Sequence, residues 1–296
     1  MDFDTYIINL QKDADKYTKL SNALNKAEIK HERFDAIYGK ELDNRYDNYF
    51  TSYKPFIPKS CIGCGLSHYF VAKQHFEKDN KKVALIFEDD AVLKFENKAD
   101  IDKIIEQAPQ DWEIILLYTQ GVTNYNSDTW HCGPIAGSNI AYLINQSGFE
   151  KLYKDCKFYC HVDIYRVAIS RNNDFKVYKT PKMMVIPDDA NISSTSTNCA
   201  RRFDEYIDSF YADVLESELT GYTASMAVKY KLIRIPFIGY ELDFIQLFIL
   251  ISILNILLFT LFGKKKLHSF LFSTFYYIVL FVSIVIFLKY YLLLLS

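Results

Sequence analysis

The chain has 296 residues with 34 Lys+Arg against 36 Asp+Glu, a formal net charge of −2. That balance argues against nucleic-acid binding, which shows as a basic excess, and 10 Gly with 7 Pro argue against disorder or a fibrous repeat. Every acidic residue lies at or before Asp243, whereas the last 53 residues carry only Lys264, Lys265, Lys266 and Lys289.

Thr5 to Leu10 reads as a buried strand ending in a polar turn, and Tyr17, Leu20, Ala23 and Leu24 recur at helical spacing within Asp15 to Lys26. Glu32 to Ala36 reads as a short strand before a turn at Gly39. Asp43 to Lys59 has no clean period and is expected to be a loop, with a helix starting at Ser67. Val83 to Phe87 is a continuous apolar strand of the buried, parallel kind, running straight into Glu88-Asp89-Asp90. Trp112 to Tyr118 and Ser138 to Ile144 are two more such strands, the second leading to a helix capped by Ser147. A short strand at Phe175 to Tyr178 and an apolar run at Met183 to Ile186 follow. No repeat interrupts this alternation of strands and helices, which indicates an α/β sheet of the nucleotide-binding type. Tyr206, Phe210, Tyr211, Val214 and Leu215 form an apolar stripe at helical spacing, read as packing, with Tyr222, Tyr230 and Tyr240 placed for a headgroup region.

Phe244–Phe262 and Phe270–Leu288 contain no charge. Each helix of that length reaches ~28 Å, close to the ~30 Å hydrocarbon core of a bilayer. The expectation is a C-terminal transmembrane helical hairpin with a polar loop at Gly263–Ser269; a buried hairpin of a globular core and a shallow hairpin that does not cross are the alternatives. Residues 1–235 would then be a soluble domain and 236–296 a membrane anchor, with membrane lipid as a partner. The three loop lysines argue for a cytosolic loop, while Lys229, Lys231, Arg234 and Lys289 argue for the opposite face. No charged and then apolar leader follows Met1, so the soluble part is expected on the cytosolic face.

Six cysteines are present: Cys61, Cys64, Cys132, Cys156, Cys160 and Cys199. Cys61/Cys64 and Cys156/Cys160 have metal-ligand spacing, but the polar knuckles of a zinc ribbon are missing, and packed free thiols are the expectation.

In an open α/β sheet, ligands sit beyond the carboxyl ends of the strands. Glu88 and Asp90 are expected on one side of such an end and Asp89 on the other. Two carboxylates on one side make an oxygen site for a hard divalent cation that also holds a diphosphate; the alternative is a solvated acidic turn.

Five blocks in one order surround this motif: Tyr6–Leu10 with Asp15-Lys16, Phe34–Gly39, Ile62–His68, Leu85–Asp90, and Gly137–Ile144 with Ser147-Gly148. Together they resemble glycosyltransferase family 25, the lipooligosaccharide and collagen galactosyltransferase group. The resemblance implies a GT-A type nucleotide-sugar-binding fold, a UDP-sugar donor (often UDP-galactose), transfer with inversion, and a divalent metal, commonly manganese. By position it assigns Glu88, Asp89 and Asp90 to the metal and to the nucleotide ribose and phosphates, and sets Ile8, Asn9 and Leu10 along the nucleotide. Where many members have arginine after the first strand, this chain has Lys12 and Lys16, and lysine cannot make arginine's planar bidentate phosphate contact. After Asp163 the resemblance fades.

An inverting transfer needs a base for the acceptor hydroxyl. His161-Val162-Asp163 is the candidate, since extended alternation would put His161 and Asp163 on one face, with Asp163 as base and His161 as metal ligand or acceptor contact; alternatively His161 packs and Asp163 caps a helix starting at Ile164. Gly63 to His68 would set backbone N–H groups and a helix N-terminus near a diphosphate, or be a tight turn capped by Ser67. His68 is expected to pack or hydrogen-bond rather than ligate metal. Asp188-Asp189 is a second acidic pair, bordering the sugar or merely solvated.

The reading is a membrane-anchored inverting glycosyltransferase moving galactose from a UDP-sugar to a glycan, glycolipid or glycoprotein acceptor. Its rivals are a non-catalytic membrane-bound relative acting in adhesion or scaffolding, and a metal-dependent nucleotidyltransferase.

Overall fold

The computed structural model describes residues 2–51, 55, 57–78, 82–118, 129–133, 139–153, 156–158, 161–170, 174–188, 231–235, 238–243, 246, 249, 250 and 253. The chain divides into two compact units, Met1–Thr195 and Ser196–Ser296.

In the first unit the strands are β1 (Phe3–Asn9), β2 (Glu32–Asp35), β3 (Val83–Glu88), β4 (Ala91–Leu93), β5 (Ile114–Leu116), β6 (His131–Cys132), β7 (Ala141–Ile144), β8 (Val177–Lys179) and β9 (Val185–Pro187). The helices are α1 (Ala14–Lys26), α2 (Lys59–Lys78), α3 (Lys98–Gln107), α4 (Gln146–Tyr153) and α5 (Val162–Ile169). Seven strands form one sheet in the order β2-β1-β3-β7-β5-β8-β6. β1 lies parallel to β2 and β3, and β5 parallel to β8, but β7 runs antiparallel to both β3 and β5. The α/β expectation therefore holds, with a mixed rather than a parallel sheet. The uninterrupted apolar run of β3 reports that both its faces are covered, and this says nothing about the direction of its neighbour.

Strand alternation feeds two cores. Ala84 and Ile86 join Ile8, Leu116, Tyr142 and α2 on one face, while Val83, Leu85 and Phe87 join Ile7, Leu24, Ile115 and Ile101 on the other. A separate two-stranded sheet pairs β4 with β9, which brings the chain after β9 alongside Asp90.

Three local expectations are corrected. First, α2 begins at Lys59 rather than Ser67, so Gly63-Cys64-Gly65 is helical and supplies no helix N-terminus. The glycines serve close packing: a Cβ on Gly63 would meet the Ile37 carbonyl oxygen at 2.4 Å, and one on Gly39 would meet that of Lys59 at 1.8 Å. Ser67 does not cap; its hydroxyl donates to the Gly63 carbonyl at 2.7 Å and accepts from the Ile37 N–H at 2.8 Å, tying α2 to the Phe34–Gly39 block. Second, Asn145 rather than Ser147 caps α4, its Oδ1 accepting from the Gly148 N–H at 2.9 Å. Third, His161 to Asp163 is not extended: His161 is the N-cap of α5 and Asp163 sits in its first turn. The expected loop also contains a 3-10 segment, Asn44–Tyr49, capped by Asp43.

In the second unit β10 (Lys231–Arg234) and β11 (Glu241–Asp243) form an antiparallel hairpin turned through Gly239 at φ 68°. Among the described residues no helix is long and apolar enough to cross a membrane. The expected span 270–288 and all of 244–262 except 246, 249, 250 and 253 lie outside the described residues. So do Cys160, Cys199, Gly137, Ser138, Asp189, the stripe from Tyr206 to Leu215, and Tyr222 and Tyr230.

Candidate active site

β1 and β3 end side by side, with Ile8 opposite Glu88. On the other flank the Glu88 N–H donates to the Ile140 carbonyl at 2.8 Å, so the start of the reversed strand β7 borders the same end of the sheet. The topology thus gathers residues from β1, α2, the turn after β3, the lead into β7 and the start of α5.

Glu88 continues the alternation of Ala84 and Ile86 and turns toward α2. Its Oε1 lies 3.1 Å from His68 Nε2, and His68 Nδ1 lies 3.1 Å from the Tyr142 hydroxyl. Asp89 turns toward β1, where Asn9 donates from Nδ2 to its carboxylate at 2.6 Å and to the Asp13 carbonyl at 2.9 Å. The Asp90 carbonyl accepts from the Asp188 N–H at 2.8 Å, and the Asp188 carboxylate pairs with Lys19. Ile8 is buried, and Leu10 is half-buried just beyond the strand.

Asp163 is 1 % exposed. Its Oδ1 accepts from the Asn139 N–H at 3.0 Å, and its Oδ2 lies 3.6 Å from His161 Nδ1. Asn139 in turn accepts at Oδ1 from Arg166 Nε at 2.7 Å, so the buried guanidinium of α5 is fastened to the start of β7.

The electrostatics are those of crowded, desolvated acids. Burial, and then the charge of Asp163, pushes Glu88 up to about 8. Burial and the charge of Glu88 push Asp90 up to about 7. Asp89 rises only to about 6, because the hydrogen bond from Asn9 opposes its burial. Lys16 of α1 acts against all three shifts but is outweighed by desolvation. Burial lowers His68 to about 4, leaving its imidazole neutral at pH ~7, and it lowers His161 as well.

Two oxygens in this region, Asp90 Oδ1 and Asn9 Oδ1, are buried without a hydrogen-bond partner among the described residues. Buried polar atoms are normally satisfied, so acceptors held this way beside clustered carboxyls fit a hard cation that takes oxygen ligands. Glu88, Asp89 and Asp90, the Asn9 side chain, and the His161/Asp163 pair therefore converge on one end of the sheet.

His68 hydrogen-bonds, as expected, and with Tyr142 it reaches the Glu88 carboxylate through α2 and β7. Two neighbours escaped sequence reasoning, Tyr142 and Arg166, the latter beneath Asn139. The spacing of Cys64 and His68, four apart and one helical turn, became legible once α2 was seen to extend back to Lys59.

Residues 3–133 match the model of glycosyltransferase family 25 (LPS biosynthesis protein). Procollagen galactosyltransferase 1-A of Xenopus laevis is 30 % identical over 131 residues, covering 40 % of this chain and 21 % of that protein. Procollagen galactosyltransferase 2 of Homo sapiens is 30 % identical over 133 residues, again covering 40 % and 21 %. The chain thus spans about a fifth of the length of these relatives, 21 % in each case. Among solved structures, a glycosyltransferase involved in glycosylation of the major capsid of PBCV-1 aligns with a TM-score of 0.34 at 10 % identity over 58 % of this chain and 67 % of that one. A197 from STIV aligns at 0.37 and 8 % identity over 67 % and 100 %. Residues 3–133, which include the acidic turn, are thus similar to glycosyltransferase family 25.

Proposed function

We propose that the protein is a glycosyltransferase of GT-A type that moves galactose from a UDP-sugar to a glycan, glycolipid or glycoprotein acceptor, with inversion. The observation that carries this reading is the Glu88-Asp89-Asp90 turn at the carboxyl end of β3, inside a family-matched segment, with an Asp90 oxygen that has no partner among the described residues. Oxygens of Glu88 and Asp90 would hold a divalent cation, manganese by family likeness, with His161 close by. Such a cation neutralises charge on the departing nucleoside diphosphate. Asp89, steered by Asn9, would face the nucleotide, with Ile8 and Leu10 along its border.

The proton acceptor in this proposal is Asp163, held by the Asn139 N–H on one oxygen and turned toward His161 with the other. Asp163→Asn can keep the bond to Asn139 through its amide oxygen while losing the base. It should therefore abolish turnover and spare UDP binding; equal turnover in that variant would remove Asp163 from the role.

We also propose that residues 1–235 form the catalytic domain and 236–296 an anchor with helices at 244–262 and 270–288, holding the domain on the cytosolic face. The uncharged runs support this, as does the exposure of Ile249, Leu250 and Ile253 at 47–50 %. Membrane lipid and a membrane-delivered acceptor follow from it. Recovery of a chain lacking 244–296 in the membrane fraction would refute the anchor.

The deciding experiment is UDP release by the full chain from a panel of UDP-sugars, with manganese, with chelator, and in Asp90→Ala. Release from UDP-galactose that needs both metal and Asp90 is the expected result. UDP binding without turnover across a panel of acceptors would favour a non-catalytic relative instead.

A further inference from the structure

α2 sets Cys64 and His68 one turn apart on a single face, and that face meets the end of β3. The Cys64 thiol sulfur, a His68 ring nitrogen and a Glu88 carboxylate oxygen all lie within 4.8 Å of one another. We propose that Cys64, His68 and Glu88 form a further cation site, suited to a borderline metal such as zinc, which is bound by a thiolate, an imidazole and a carboxylate.

The donor set distinguishes this site from the acidic turn. Glu88, Asp89 and Asp90 offer only oxygens, which suit hard cations, whereas sulfur and imidazole nitrogen select zinc and its neighbours. The geometry needs little adjustment. A tetrahedral zinc, about 2.3 Å from sulfur and about 2.0–2.2 Å from nitrogen and oxygen, sets its ligand atoms about 3.4–3.6 Å apart. His68 Nε2 and Glu88 Oε1 already stand 3.1 Å apart, so the cation has to part them slightly and draw in the thiol.

Support for the imidazole is in place. With Nε2 given to the cation, the ring proton resides on Nδ1 and donates to the Tyr142 hydroxyl oxygen, 3.1 Å away. That outer contact fixes tautomer and ring orientation, as outer partners of metal-bound histidines do. His68 is 1 % exposed, but Cys64 and Glu88 are only half-buried, so a cation has a way in from their side. Binding releases the thiol proton to solvent, and the fourth position falls to water or another oxygen donor.

This inference stands apart from the transfer reading, although both use Glu88. The test is a titration of the full chain, freed of metal by chelator, with cobalt(II) as an optical stand-in for zinc. One equivalent should give a near-ultraviolet thiolate-to-cobalt band and the intense visible absorption of a tetrahedral centre, both abolished by added zinc. Cys64→Ser should lose the thiolate band, and His68→Gln should weaken cobalt binding by about tenfold or more. Asp90→Asn should keep the band.

A weak octahedral spectrum in the unaltered chain would overturn the proposal without recourse to any variant. Persistence of the band in Cys64→Ser would assign the sulfur to another cysteine and overturn it as well. Loss of the band in a folded Asp90→Asn protein would merge the site with the acidic turn. A cobalt band in a chain that releases no UDP would sink the transfer reading and leave this one standing.

Discussion

The two ends of the central sheet treat buried acids in opposite ways. At the end where β5 begins, Glu113 is 5 % exposed and its carboxylate is fully engaged. It accepts from the Ser147 hydroxyl and from the Lys176 N–H at 2.8 Å, and it lies 2.7 Å from Lys151 Nζ. At the end where β3 finishes, Glu88, Asp89 and Asp90 crowd together, burial raises all three, and Asp90 Oδ1 has no partner among the described residues. An acid that is buried and paired fastens the fold, in this case α4 and β8 to β5. Acids that are buried, adjacent and underpaired weaken the fold, and a cation would relieve them. The same residue type thus marks scaffold at one end and candidate chemistry at the other.

The widest separation between the two ends should appear in activity. Asp90→Asn is expected to lower UDP release by about 100-fold or more, since a cation ligand supplies several kcal/mol at the transition state. Its urea unfolding midpoint should stay level or rise, because a buried like charge is removed. Glu113→Gln should do the reverse, leaving turnover per folded molecule unchanged. It should lower stability by about 1.5–3 kcal/mol, the range for charge-assisted hydrogen bonds, and toward the lower figure because Lys151 is 41 % exposed. A folded, active Asp90→Asn protein, or a Glu113→Gln protein as stable as the unaltered chain, would break the comparison.

The pH dependence sharpens it. Glu88, Asp90 and Asp89 are raised to about 8, 7 and 6, above the values near ~4 expected of an unfolded chain. The folded protein therefore keeps protons that the unfolded chain has already released. Without divalent cation, the stability these groups contribute is present at pH ~4 and is lost as pH rises through about 8. Melting temperature against pH should fall across that window and flatten in Glu88→Gln or Asp90→Asn. If manganese binds there as proposed, it would displace those protons and should stabilise increasingly over the same range. The smallest effect is expected at Ser67→Ala, which removes the hydroxyl's bond to Gly63 within α2 and its link to Ile37, and should cost about 1 kcal/mol in the same unfolding measurement.

Much of the scaffold could be read from residue pattern. The apolar run Val83–Phe87 fixed β3 and where it stops, and the periodic helix of residues 15–26 became α1 with one residue added at its start. Element type was less legible where packing overrules local preference. Gly63 and Gly65 read as a turn because glycine disfavours helix by about 1 kcal/mol, yet a helix pressed against the Ile37 and Gly39 backbone has room for nothing larger than glycine at position 63. His161–Asp163 read as extended because a three-residue alternation cannot be told from the start of a helix.

By itself, the sequence determined that an apolar strand delivers three acids to its carboxyl end in an α/β sheet, and the family blocks gave those acids their context. Only the tertiary structure decided which groups meet them: Asn9 at Asp89, His68 and Tyr142 behind Glu88, Arg166 beneath Asn139, and the reversed strand β7 that carries Asn139 to Asp163. The physical reason is range. Hydrophobic periodicity is written residue by residue along one element, whereas Glu88 meets a helix 20 positions away and Asn139 bonds a residue 24 positions on. Contacts of that kind arise only when burial of both faces of the sheet fixes strand order and direction.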